Sequence, residues 1–430
     1  MEFMPEEFYQ YVWQSGSFST KELKTTQNEA IQIIHPGIKN THAGPDFFNA
    51  RVKIGETEWA GNVEVHILAS DWFKHHHEID EAYDQIILHV VSKNDCEVIR
   101  KDGSKVAILL LTDYINPLLA SNYKLLIENI NWIPCEKMLS SIDSIYKTQM
   151  LQRTATERLE IKATLIEQDV AYLNGDWETA FYRHTAKCFG FKTNAVPFGM
   201  LAKTIPHLIL GKHKNNLHQI EAIIFGQSGM LNENLIDDYG ISLLKEYKFL
   251  KQKYDLKGMD AFIWKFMRMR PVNFPTIRIA QFAWLVSNSA HLFSKILSDT
   301  SINQLKKLFK AETSDYWKEH FLFDKKTKFS EKKLGESSIN SLLINAVAPF
   351  LFSYGRANNN DNLKDRAIEI LEKTESESNS IVEKFENLGL KSESSLESQG
   401  LLHLKEYYCN RKKCLHCTIG NSFLNFRQNK

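Results

Sequence analysis

The run Gln85-Ile86-Ile87-Leu88-His89-Val90-Val91 constrains this chain more than any other segment. A continuous apolar, β-branched run of this kind marks a strand buried on both faces. The sequence before it has the period of strands as well. Glu58 to Leu68 alternates, with Val63, Val65 and Ile67 facing one way and Asn62, Glu64 and His66 the other. Ala30 to Ile34, Ala50 to Ile54 and Val106 to Leu111 read as further strands, with Gly37, Gly44, Pro45 and Gly55 in the connections. A short amphipathic helix is expected over Glu6 to Trp13, with Phe8, Tyr11 and Val12 on one side.

After Asp113 the strand pattern stops. Helical periodicity recurs from Ser144 to Tyr172, Trp177 to Phe189, Met200 to Ile209, Leu217 to Phe225, Asp238 to Tyr254, Arg278 to Leu297, Ile302 to Lys310, Ile339 to Phe352 and Asn362 to Lys373. The expected fold class is therefore α+β. A small mixed α/β sheet unit spans residues 1–113, a helical domain spans 114–400, and a cysteine-containing segment spans 401–430. Thr374 to Glu397, rich in Ser and Glu, reads as a solvated loop around a helix.

Hydrophobic residues make up 43% and charged residues 24%, so a packed core is expected. A net charge of +1, from 53 basic and 52 acidic residues, argues against a chain built throughout for polyanions and leaves room for a local basic groove. The start, Met1-Glu2-Phe3-Met4-Pro5-Glu6-Glu7, lacks the basic and apolar stretches of a signal peptide. No apolar run approaches the ~20 residues that span a bilayer, so no membrane association is expected and a cytoplasmic location is.

The chemistry concentrates between residues 44 and 89. Asp46, after Gly44-Pro45, sits just before one strand, and Glu64 and His66 lie two apart on the next, on one face. If those strands are neighbours, the three groups meet. Two carboxylates and an imidazole suit Mg²⁺ or Mn²⁺, and also Zn²⁺. A metal site of Asp46 and Glu64, with His66 beside it to position or deprotonate a water, is the expectation. The connection Ser70 to Asp84 adds Asp71, His75, His76, His77, Asp80 and Asp84, of which Asp71, His75 and His77 are weaker candidates for an outer ring. His89 is a further candidate.

Cys409, Cys414 and Cys417 supply three thiols within nine residues, with Cys135 or His416 as a fourth ligand. Thiolate-rich sites select zinc or an iron–sulfur cluster, and Cys-x4-Cys-x2-Cys with a distant fourth Cys is one ferredoxin spacing. Trp264 to Pro271 interleaves aromatics with Lys265, Arg268 and Arg270, and Arg278 follows; these read mainly as core aromatics with snorkelling cations. Lys325, Lys326, Lys328, Lys332 and Lys333 read as a solvated basic loop.

Pro45-Asp46 followed by Glu64-Val65-His66 resembles the signature of the PD-(D/E)xK nuclease superfamily, over about the first 110 residues. That resemblance implies a restriction-endonuclease-like core: a helix, three strands, a helix and another strand. It implies a metal-dependent phosphodiesterase acting on nucleic acid, with Glu6 or Glu7 as an extra acidic residue. His66 departs from the pattern by standing where Lys is usual. Some members pin their two ends with an iron–sulfur cluster, which implies that role for Cys135 with the C-terminal trio. The whole chain is also similar to a bacterial family, domain of unknown function 2851. That likeness rests on His42-Ala43-Gly44-Pro45-Asp46-Phe47, Gly61-Asn62-Val63-Glu64-Val65-His66, Ser70-Asp71-Trp72, Arg270-Pro271-Val272-Asn273-Phe274-Pro275 and Cys414-Leu415-His416-Cys417. Two other expectations stand beside the nuclease: a non-catalytic nucleic-acid or protein-binding scaffold with a structural metal clip, and a metal-dependent hydrolase of a small substrate.

Overall fold

The structure is a computed structural model, and it describes residues 4–289, 291–298 and 301–425. Of the acidic start, Met1 to Phe3 lie outside the described residues. The fold is mixed α+β, with an N-terminal sheet and a large helical region.

Helix α1 (Glu6–Ser15) buries Phe8, Tyr9, Val12 and Trp13 and stops at Gly16 in the left-handed region. Five strands then form the body of one sheet: β1 (Ile31–His35), β3 (Phe47–Ile54), β4 (Thr57–Leu68), β5 (Ile86–Lys93) and β6 (Ile108–Leu110), in that spatial order. The two-residue strand β2 (Ile38–Lys39) pairs with β3. The pairs β1/β3 and β3/β4 are antiparallel; β4/β5 and β5/β6 are parallel. A four-residue helix, α2 (Asp71–Lys74), and a 3₁₀ turn (Glu81–Tyr83) lie in the crossover from β4 to β5. From Ile86 to Ser92 every residue of β5 is buried, as a strand covered on both faces must be.

Two irregularities set the geometry of β4. Between Phe47 and Ala50 the β3/β4 register slips, with Asn49 in the left-handed region at φ +56. Such a bulge twists the strand locally and re-aims the residues before it, here Asp46 and Phe47. Between Asn62 and Val63 the β4/β5 register slips as well. Gly61 permits that close approach: a Cβ there would lie 2.4 Å from Ile87 Cγ2 and 2.6 Å from the Gln85 carbonyl oxygen.

Compact packing divides the chain into Met1–Met150 with Lys405–Lys430, and Leu151–Leu404. The expected boundaries at 113 and 400 therefore differ from the observed units. Helix α3 (Pro117–Glu128) packs with the sheet unit, because Leu119, Tyr123 and Leu126 are buried and Tyr123 stacks on Phe8 at 5.0 Å between centroids. The C-terminal helix Thr418–Leu424 joins the same unit, where Asn122 donates to the carbonyls of Phe423 and Leu424.

The division falls within α4 (Ser144–Tyr172). The second unit continues with α5 (Trp177–Phe189), α6 (Phe191–Thr204), α7 (His207–His213), α8 (Leu217–Gln227), α9 (Asp238–Tyr254) and α10 (Pro275–Asn288). They enclose a core rich in aromatics, including Phe181, Phe189, Phe198, Phe225, Trp317 and Phe350. A short hairpin, His320–Leu322 with Lys325–Lys326, interrupts the helical region. The periodic stretch expected as one helix from Arg278 to Leu297 ends at Asn288 and resumes at Leu292–Leu297, with Ala290 outside the described residues.

Two expectations are corrected here. Thr374 to Glu397 is not simply solvated: Val382 and Phe385 are buried, and so are the serines at 392 and 395. Ser395 satisfies its hydroxyl by donating to the Leu371 carbonyl. Small hydroxyl residues that bond a backbone carbonyl can sit inside a core, and composition alone conceals this. Lys332 in the basic loop is buried, its ammonium donating to the Lys318 carbonyl and lying 4.3 Å from the Phe321 ring centroid.

Gly61→Ala is expected to destabilise the protein by about 1–3 kcal/mol, the usual cost of overpacking a rigid contact. The midpoint of chemical unfolding, read by a probe in the sheet unit, checks this.

Candidate metal centre

The site begins with a loop that has no room to wander. Asn40 gathers the carbonyls of His42, Ala43 and Pro45 through its side-chain amide, and its Oδ1 accepts from the His42 N–H. The Asn40 N–H donates to the Asp46 carbonyl at 2.7 Å. Asp46 is thus delivered to the start of β3 by a loop folded around one asparagine.

Asp46 and Glu64 then lock the two strands together. The Asp46 N–H donates to Glu64 Oε2 at 3.0 Å, and the Val65 N–H donates to Asp46 Oδ2 at 3.1 Å. Gln10 of α1 donates to the other Asp46 oxygen at 2.9 Å. Glu64 keeps Oε1 for the imidazoles: it lies 3.4 Å from His66 Nε2 and 3.5 Å from His77 Nε2.

Three histidines meet there. One ring nitrogen from each of His66, His75 and His77 lies within 4.8 Å of the other two. His75 Nδ1 is 3.2 Å from His66 Nε2. His66 Nδ1 is 2.9 Å from His89 Nε2 on the neighbouring parallel strand, where residues 64 and 89 are in register. That contact lets His66 donate from Nδ1 and leaves Nε2 with its lone pair toward His75 and Glu64. Tyr83 stacks on His77 with centroids 3.7 Å apart, and the buried Trp72 lies edge-on to it. His66, His77, His89 and Glu64 are buried, while His75 is exposed, so the cluster opens to solvent on the His75 side.

Electrostatics make this cluster unusual. Burial, and then the charge of Glu64, pushes Asp46 up to about 7. Burial pushes Glu64 up to about 8, with a smaller contribution from Glu6. Burial pushes His66 down to about 2, reinforced by His89, and His89 down to about 3. Glu6 is also raised, by burial and then by Asp46. Neither the carboxylates nor the imidazoles hold their charged forms comfortably near neutrality, which is what buried donors facing one another must do without a counter-ion.

The residues fit a divalent ion. His77 Nε2 is buried and makes no hydrogen bond. Ligands about 2.0–2.1 Å from a tetrahedral zinc ion sit about 3.3 Å from one another. The contacts of 3.2, 3.4 and 3.5 Å that link His75, His66, Glu64 and His77 match that edge. A set rich in imidazole favours zinc, copper, iron or nickel over magnesium, and the carboxylate leaves manganese admissible.

The candidates from the sequence thus divide. Asp46, Glu64, His66, His75, His77 and His89 come together. Asp71 instead accepts from the Leu68 N–H and pairs with Lys74. Asp80 caps the 3₁₀ turn by accepting from the Ala82 N–H, and His76 lies 3.9 Å from Glu78. Of the two glutamates on α1, Glu6 faces the site, and Glu7 accepts from His416 at 2.7 Å. Gln10 and Asn40 escaped notice in the sequence. A signal for Gln10 existed, since helical spacing places it one turn from Glu6 on the same face. Asn40 carried none beyond its turn propensity.

The cysteines form a second cluster in the same unit. Cys409 ends a π-helical turn (Leu404–Cys409), Cys414 opens a 3₁₀ turn and Cys417 precedes the last helix. Cys135 joins them. Burial raises Cys135 to about 12, aided by Cys417 and Cys414; Cys409 is raised well above the ordinary thiol range by burial, then by Cys417, Cys135 and Cys414. Lys405 fixes the approach, donating to the Trp132 carbonyl at 2.6 Å and lying 4.7 Å from its ring centroid. Gly420 is required beside it, because a Cβ would lie 2.3 Å from the Cys414 carbonyl oxygen. None of the six cysteines, all described, is in a disulfide.

Because Asp46 and Glu64 hold protons in the fold that they lose at about pH 4 when unfolded, their burial lowers stability as pH rises through 7 and 8. His66 and His89 act oppositely, adding stability as pH rises toward their ordinary 6.5 and nothing above it. In chelator, unfolding midpoints are therefore expected to fall between pH 6.5 and 8, less so in Glu64→Gln, and Zn²⁺ or Mn²⁺ should raise the midpoint of the wild type more than that of the variant. Equal slopes without metal would contradict this electrostatic picture.

No curated protein and no solved structure matches the chain significantly. Residues 6–380 match a family described as Protein of unknown function (DUF2851), which spans the sheet unit's histidine–carboxylate cluster and most of the helical region, and the chain belongs to that family.

Proposed function

We propose that the protein is a metal-dependent phosphodiesterase, with nucleic acid as its substrate class. The observation that carries this reading is the convergence of His66, His75, His77 and Glu64 Oε1 beside a second carboxylate, Asp46, at the central strand of the sheet. The order of elements supports it: a helix, three antiparallel strands, a short helical crossover and a strand parallel to the third. That is the order the nuclease resemblance implies, with Asp46 opening the second long strand and Glu64 on the third.

A divalent ion held there would supply charge neutralisation at a phosphoryl oxygen and acidification of a water. The chain's own groups do the rest. Asp46 positions Glu64 through paired backbone hydrogen bonds, and His89 holds the His66 ring. The exposed His75 and partly buried Glu6 border the open side, where a substrate phosphate would approach. His66, standing where lysine is usual in the nuclease signature, serves as a ligand in this reading.

A second reading is a non-catalytic metal centre, and the burial of His66 to 1% exposure favours it. The cysteine cluster is proposed as a structural zinc or iron–sulfur clip in either case, since four thiolate ligands would fill the site and leave no open position.

With Mn²⁺ or Zn²⁺ the wild-type protein is expected to cleave single-stranded or duplex DNA or RNA, and Glu64→Gln to lose about a hundredfold or more of that activity. Unchanged circular dichroism would show that the variant folds. Metal retained without cleavage of any of the four substrates would favour the second reading. Purified protein should also carry a thiolate-bound metal that Cys414→Ser loses. Visible absorption then marks iron–sulfur, and its absence with stoichiometric zinc marks zinc. Four thiols that all titrate rapidly in the native protein would defeat the clip.

A further inference from the structure

The second unit holds a cavity of about 590 Å³ that the proposed metal centre leaves unused. It lies where α6 begins, beside the first turn of α10 and the helix Glu336–Leu342. Arg278 on α10 lines it and is only 8% exposed.

The guanidinium is held rigidly by neutral groups. It donates to Gln281 Oε1 at 3.0 Å, Asn273 Oδ1 at 2.6 Å and Ser338 Oγ at 3.2 Å. The Phe191 ring lies under it, 4.4 Å from Cζ to the centroid. Phe191 takes a positive φ of 47 to do so, a conformation an aromatic residue rarely adopts. Among the described residues no carboxylate pairs with it: burial alone pushes Arg278 down to about 10, and its Nε has no hydrogen-bond partner. Glu375 and Glu377 also border the cavity, but neither pairs with the guanidinium, and Glu377 accepts from the Gln399 amide. A buried cation with neutral partners only is costly, and its cost falls when an anion arrives.

Two further groups shape what would arrive. Lys192, exposed at the rim, adds a second positive charge. Asn340 lines the cavity with a buried Oδ1 that accepts no hydrogen bond. An acceptor beside a cation favours an anion that also carries a proton, as phosphate does near neutral pH and sulfate does not.

We infer that this cavity is a binding site for a phosphate group, with Arg278 as its fixed cation, Lys192 as its outer cation and Asn340 as acceptor of the phosphate proton. The volume lies within the range of small-molecule pockets and leaves room for more than a bare phosphate, so a small phosphate monoester fits it. The inference is independent of the metal centre, which belongs to the other unit.

The test uses the full chain at constant ionic strength, with chloride as the balancing anion. Inorganic phosphate and glycerol 3-phosphate are titrated by calorimetry and by ³¹P line broadening, with sulfate as comparison. Saturable binding of either phosphate compound is expected, with sulfate at least about tenfold weaker. Tighter binding of the ester identifies an esterified ligand; tighter binding of free phosphate identifies the inorganic ion. Arg278→Gln should weaken binding by about tenfold or more, and Lys192→Gln several-fold, since each removes a charged hydrogen-bond donor. Should Arg278→Gln fail to fold, Lys192→Gln, at an exposed position, carries the test. A wild-type protein with no saturable response to either phosphate compound overturns the inference, as does a folded Arg278→Gln that binds unchanged.

Discussion

The paired hydrogen bonds between Asp46 and Glu64 are the interaction on which the sheet unit turns. Each carboxylate accepts a backbone N–H at the other's strand: Glu64 from Asp46, and Asp46 from Val65. Antiparallel strands ordinarily bond backbone to backbone. Here the bulge at Asn49 has pulled the start of β3 out of register, and the side chains close the gap. Two acids are thereby held together inside the protein, where their mutual repulsion and loss of hydration must be met by protons or by a cation. With Gln10 bonded to the remaining oxygen of Asp46, the histidine cluster surrounds the one carboxylate oxygen left over, Glu64 Oε1.

The same logic of unmet charge recurs in the helical unit with the sign reversed. Arg278 is fixed by amides, a hydroxyl and an aromatic face, none of which carries charge. Buried ionic groups are seldom retained for stability alone. One unit therefore holds donors that want a cation, and the other a cation that wants an anion. Both sites sit at irregular backbone, the bulge at Asn49 and the positive φ of Phe191.

Much of this was legible in the sequence, and the reasons for the rest are physical. The doubly buried strand announced itself through Ile86 to Val91, because a parallel interior strand has no polar face to display. Glu64 and His66 were placed on one face by strand period alone. His75 and His77 were harder, since adjacent histidines in a turn look like solvated surface; only the tertiary fold shows that His77 turns inward under Tyr83 while His76 turns out. Cys135 was named beside the C-terminal trio as one of two choices of fourth ligand and through the nuclease resemblance, because no local pattern reports a contact across the whole helical unit. The boundary at residue 113 reflected the end of strand periodicity, whereas packing obeys burial, and α3 buries its apolar face on the sheet unit. Arg278 looked like one of several cations along an aromatic stretch, and its neutral surroundings are invisible until Asn273, Gln281 and Ser338 are brought round it.

The discontinuity of the first unit has a consequence for the order of biosynthesis. Cys135 leaves the ribosome long before Lys405, and the entire second unit is made in between. The chain must close a very long loop before four thiols can meet, which makes that closure a late and slow event. A polypeptide interrupted anywhere in the helical region has Cys135 without the three later cysteines, and Trp132 without the lysine that covers it. The thiol cluster can therefore assemble only after the whole helical unit has been made.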